Sequence, residues 1–131
     1  MKKTLFLLSV AASVILVTSC ESNTHWDKTF VNSSTHTLIL YTTDGGGGFT
    51  FADSIILAPG AEEVIYSFSD VVNDAAPACE QYINRLSLSA EEGFTITKDV
   101  SDSDNWIDDS VEESHGFMHN CTFTISDSDI L

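Results

Sequence analysis

Residues 121–126, Cys-Thr-Phe-Thr-Ile-Ser, alternate an apolar side chain with a hydroxyl at every step. A period of two marks an extended strand with one buried and one wetted face, because successive side chains of a strand point to opposite sides. Cys121, Phe123 and Ile125 are thereby assigned to a core, and Thr122, Thr124 and Ser126 to solvent. The chain upstream repeats the message in short pieces. Residues 26–32 read as a first strand, and 35–43 (THTLILYTT) form a β-branched and apolar run suited to the middle of a sheet, ended by the glycines at 45–48. Residues 53–58 and 63–68 flank the turn pair Pro59-Gly60 and are expected to form a hairpin in which Val64, Tyr66 and Phe68 share a face. Residues 70–81 show no clear period and read as a crossing connection. Alternation returns at 86–89 and 94–97, expected as a second hairpin through 90–93. Seven short strands without a long helical period predict an all-β domain over residues 26–131, built as a two-sheet antiparallel β-sandwich.

The N-terminus has to be set aside before any fold is assigned. Lys2 and Lys3 precede an apolar stretch from Leu5 to Val17, broken only by Ser9 and Ser13 and short for a permanent membrane span. Residues 1–19 are expected to be a secretory signal peptide. Val17, Thr18 and Ser19 lead directly into Cys20, an order similar to the lipobox of bacterial lipoproteins. That likeness implies a diacylglycerol on the Cys20 thiol, cleavage before it and acylation of the new amine by a fatty acid such as palmitate. Each buried methylene of such chains contributes about 0.8 kcal/mol, so the anchor needs no spanning helix. Residues 20–25 are expected to be a lipidated polar tether.

Cleavage leaves three basic residues, Lys28, Arg85 and Lys98, against 20 acidic ones. Such a balance repels phosphate backbones, which excludes nucleic acid as a partner and favours cations or basic surfaces. Two cysteines, Cys79 and Cys121, remain in a compartment where disulfides persist. They form a single bridge or stay as two buried thiols, and the absence of a C-x-x-C motif favours the bridge.

The lipobox, the strand ending in Val31-Asn32-Ser33-Ser34, the Pro-Gly turn, an isolated Trp106 and the closing TFTISDSDI of residues 122–130 together resemble small lipoproteins of Bacteroides-type bacteria. An aromatic often found near the end of that tail is replaced here by Ile130-Leu131. The resemblance implies an immunoglobulin-like sandwich in the cell envelope, anchored in the outer membrane, and assigns no activity. It also implies a modification, because such bacteria attach glycans at Asp, then Ser or Thr, then a small or apolar residue. Asp53-Ser54-Ile55 and Asp109-Ser110-Val111 match, making Ser54 and Ser110 candidate acceptors, with Ser110 favoured as lying in an open loop.

Between residues 99 and 113 stand seven carboxylates and no base. Read as a calcium loop, Asp102, Asp104, Asp108 and Glu113 fill ligand positions, but Trp106 and Ile107 occupy places that call for an oxygen donor and a glycine. The competing reading is a solvated acidic loop pinned to the core by Trp106 and Ile107. His119 and Cys121 share a strand face and could join a metal site if Cys121 were not bridged. No nucleophile elbow, phosphate-binding loop or zinc-protease motif occurs, so no catalytic residue and no obligatory cofactor are expected. The chain reads as a membrane-anchored binding or structural module for a protein or glycan partner; the alternative is a small metal-assisted or carboxylate-based hydrolase working from residues 99–113.

Overall fold

A computed structural model describes residues 22–43, 48–71 and 79–131; the expected signal peptide and Cys20 lie outside them. The described chain is mostly β, with seven strands: β1 (Asn23–Asn32), β2 (Leu38–Thr42), β3 (Ser54–Leu57), β4 (Glu62–Asp70), β5 (Leu86–Ala90), β6 (Ile107–Glu113) and β7 (Gly116–Ile125). They form a four-stranded sheet, β4-β1-β7-β6, and a three-stranded sheet, β3-β2-β5. Phe30, Ile65, Phe123 and Ile125 from the first sheet meet Leu38, Leu40, Leu57 and Leu86 from the second in one buried cluster, as a sandwich requires. The alternation of 121–126 holds as expected, with Cys121, Phe123 and Ile125 buried between half-buried threonines.

Several expectations need correction. The first strand begins at Asn23 rather than Trp26, because Thr24 is buried and residues 23–25 pair with β7 on one side and, from Thr24, with β4 on the other. Residues 23–25 therefore belong to the sheet. The sheets are not wholly antiparallel either: β1 and β7, the first and last strands, run parallel, a pairing open to strands that no short turn connects. Residues 94–97 do not fold back on β5. They meet the C-terminal tail instead, through reciprocal Thr95–Leu131 backbone hydrogen bonds and an Ile96–Ile130 bridge. The seventh strand is β6, drawn from the stretch read as a loop.

The Pro-Gly hairpin is the most instructive departure, because both strands form but in different sheets. Ala61 N donates to Ala58 O across the turn and Gly60 has φ +79°, the geometry of a type II turn with Pro59 at its first corner. Turns of that hand splay their flanking strands instead of twisting them together. Here the splay carries the chain from one sheet to the other. Asn32 holds the corner: its backbone N–H donates to Ala61 O, its carbonyl accepts from Gly60 N, and its side-chain nitrogen lies 2.8–3.0 Å from the carbonyls of His36, Leu57 and Ala58. Its Oδ1 accepts from the backbone and hydroxyl of Ser34. Since Asn32 is fully buried, Asn32→Ala strands several polar groups away from water. It is expected to cost about 2 kcal/mol in chemical denaturation; a change within experimental error would show that the corner is held by other contacts.

Candidate functional site

The four strands of the larger sheet align polar and aromatic side chains and the disulfide into two adjacent rows. One runs Tyr66, Lys28, Cys121, Asp108 across β4, β1, β7 and β6; the next runs Phe68, Trp26, His119, Ser110. The inward phase of β1 (Thr24, Trp26, Lys28, Phe30, Asn32) delivers Lys28 into the interior, where it is 1% exposed with its ammonium 5.1 Å from the centre of the Tyr66 ring. Loss of hydration there pushes the lysine down to about 8, with the nearby Asp108 carboxylate opposing the shift. Burial likewise raises the Tyr66 phenol, with Tyr82 adding to the shift.

Beside Lys28, Cys79 and Cys121 form the expected disulfide, with Cα atoms 5.4 Å apart and both residues buried. His119 is fully buried and stacks at 11° on Trp26, ring centres 5.9 Å apart. Ser110 bridges it to Asp108: the hydroxyl donates to Asp108 Oδ1 at 2.6 Å and lies 2.7 Å from His119 Nδ1. One hydroxyl carries one proton, so with that proton on Asp108 the imidazole Nδ1 must be the donor to Ser110. Serine and carboxylate therefore address the same nitrogen, Asp108 Oδ1 being 3.8 Å from Nδ1. A nucleophilic relay needs them on opposite nitrogens, and needs the histidine within reach of substrate. This cluster is a polar network in which His119 is sealed inside while Ser110 and Asp108 lie on the exposed edge strand.

A second histidine does have opposite partners. On the outward face of β1, His25 Nδ1 lies 2.6 Å from Ser69 Oγ and Nε2 lies 3.0 Å from Asp27 Oδ1. Catalysis would also need a substrate cavity and oxyanion donors. Neither of the two cavities described next is lined by these residues, and the geometry is that of a cross-strand His25–Ser69 pair and a same-strand His25–Asp27 pair on the outward face of β1.

One cavity, of about 370 Å³, lies between β5 and residues 96–101. The other, about 350 Å³, lies against the disulfide and is lined by Cys79, Glu80, Ser103, Asp104, Trp106 and Asp108. No known protein-family model matches the chain, and comparison with curated proteins and with solved structures finds no match.

The residues singled out from the sequence scatter. Asp102 caps a short 3₁₀ turn by accepting from Asp104 N, whereas Asp108 and Glu113 are five residues apart on β6, about 17 Å of strand. The four carboxylates proposed for calcium therefore do not converge. Residues 107–113 form an edge strand whose carboxylates blunt it against pairing with another chain, which is why a charge run read as loop is extended. Trp106 does pin its segment, with Nε1 donating to Val100 O and its ring against Phe123, but Ile107 is 67% exposed. Of the glycan acceptors, both are exposed: Ser110 lies in β6 with its hydroxyl engaged by Asp108 and His119, and Ser54 stands at the start of β3. Lys28 was missed. The signal was present as a lysine in the apolar phase of strand 26–32, flanked at i±2 by Trp26 and Phe30.

Proposed function

We propose that this chain is a lipid-anchored, immunoglobulin-like β-sandwich of the cell envelope that binds a protein or glycan partner through its membrane-distal end. Its ionisable interior groups, Lys28 and His119, are sealed from substrate, which favours a binding or structural module over a hydrolase. Anchoring at Cys20 would place the lipid only three residues before β1, at most about 10 Å of chain. The Asn23 end of the larger sheet, with the β6–β7 hairpin, then faces the bilayer. The opposite end collects residues 33–37, the Pro59-Gly60 turn, residues 91–95 and the C-terminus. The observation that carries the reading sits there: Phe94 is 43% exposed, its ring centre 4.1 Å from that of His36 with the two rings tilted at 48°, and His36 Nδ1 is held 2.9 Å from Glu91. A fixed aromatic on a polar rim is a common recognition element.

The experiment pairs two variants in the native host. Cys20→Ala should lose lipid labelling and leave the membrane fraction; unchanged fractionation rejects the anchor. Phe94→Ala, which removes an exposed ring, should abolish the crosslinked partner recovered with wild-type protein while leaving thermal stability unchanged. Equal recovery of the same partner rejects the distal surface.

A further inference from the structure

We infer that the Cys79–Cys121 disulfide conceals a thiolate metal site, which reduction converts into a centre for a borderline-soft divalent cation such as zinc, held by Cys79, Cys121 and Asp108. The Sγ atoms of the two cysteines and a carboxylate oxygen of Asp108 all lie within 4.8 Å of one another. Two thiolates and one carboxylate match the donor preference of zinc, which takes sulfur and oxygen ligands in a tetrahedron and leaves a fourth position for solvent when the protein supplies three.

Four further features fit a site of this kind. The three ligands come from β6, β7 and the segment before β5, and β6 and β7 are locked in register by the direct Asp108–Cys121 pairing. Asp108 is oriented from behind by the Ser110 hydroxyl, itself held by His119, the outer layer of hydrogen bonds that metal ligands need. An entry path exists, because the cavity of about 350 Å³ is lined by Cys79 and Asp108, and its other carboxylates, Glu80 and Asp104, attract a cation. The charges also balance. With the disulfide closed, the Asp108 carboxylate faces the Lys28 ammonium; with it open and metal bound, two thiolates and Asp108 oppose a divalent cation and the same ammonium, and the sum is again zero.

The chemistry requires a reductant, and a dithiol of the thioredoxin class supplies it. The dithiol gives two electrons and two protons to the protein disulfide and closes its own disulfide, leaving two protein thiols. Metal binding then displaces both thiol protons to solvent. A disulfide oxidant, taking two electrons from the thiolates by thiol–disulfide exchange and becoming a dithiol itself, would expel the metal and restore the bridge.

Cobalt is the probe, because thiolate coordination gives it a near-ultraviolet charge-transfer band and tetrahedral geometry gives it intense red absorption. Full-length chain carrying Cys20→Ala, so that only the two cysteines in question remain, is reduced with a phosphine and titrated with cobalt and then zinc. The expected result is one cobalt per chain with both bands, bleached by zinc, and no such bands in the oxidised protein. Cys79→Ser should lose the charge-transfer intensity of one thiolate, and Ser110→Ala should weaken cobalt binding about tenfold through loss of the Asp108 support. Folding is followed in parallel by near-ultraviolet circular dichroism. Reduced, folded protein that takes up cobalt without thiolate bands overturns the inference. So does a chain that loses its fold on reduction with metal present, or bands that persist unchanged in Cys79→Ser.

Discussion

Reduction of the Cys79–Cys121 bridge, in chelator so that no metal replaces it, should lower the stability of the domain by about 4 kcal/mol. The bridge joins residues 42 apart in sequence, and closing a loop of that length restricts the unfolded chain by about this amount in the chain-entropy account. For a domain of this size the loss corresponds to a melting temperature lower by on the order of 15 °C. It also ties the segment before β5 to the centre of the larger sheet, which strand pairing alone does not do. Both thiols should become alkylatable only after reduction. The measurement is a pair of denaturant titrations, oxidised and reduced, with alkylation read by mass. Coincident titrations would mean that the bridge constrains nothing the sheets do not already hold, and quantitative alkylation without reductant would mean that it does not form.

What the sequence disclosed follows from what each signal is made of. The strands of 38–42, 54–57, 62–70 and 86–90 were legible because β-branched and apolar residues cluster or alternate in them, and that pattern is local. Their partners were not, since a Pro-Gly pair specifies a turn while the hand of the turn decides whether its strands pair or splay. β6 escaped notice for a different reason. Asp and Glu disfavour strands on average, yet at a sheet edge they protect the strand, so composition pointed one way and position the other. The candidate site was half visible. Cys121 and His119 are in phase two residues apart, and Lys28 interrupts an apolar phase, but their assembly depends on β1 and β7 lying side by side in parallel, a contact between the two ends of the domain that no spacing announces. Asp108 joined the wrong company in the sequence. It was grouped with neighbouring carboxylates along the chain, whereas across the sheet its partner is Cys121.

Between pH 8 and 10 the domain is expected to become more stable, by on the order of 2 kcal/mol, an unusual direction for an alkaline titration. The cause is Lys28. In the unfolded chain its ammonium holds a proton up to about 10.4, whereas burial pushes the folded value down to about 8. Below pH 8 both states are protonated and the full cost of burying the charge is carried by the native state. Above it the native state sheds the proton that the unfolded state still binds, so raising the pH favours folding. Tyr66 opposes this at the top of the range: burial raises its phenol above the ordinary value, so the native state keeps a proton there that the unfolded state loses, and stability falls above about pH 10. A maximum near pH 10 results. Denaturant titrations of the oxidised protein at half-unit intervals from pH 7 to 10.5 measure it. Lys28→Met, which replaces the charge with an apolar chain of similar length, should flatten the rise and at pH 7 be at least as stable as wild type. An equal rise in Lys28→Met would assign the effect to another group, and a level profile in wild type would mean that Lys28 stays fully charged inside the sheet, its burial cost met by Asp108 and the Tyr66 ring.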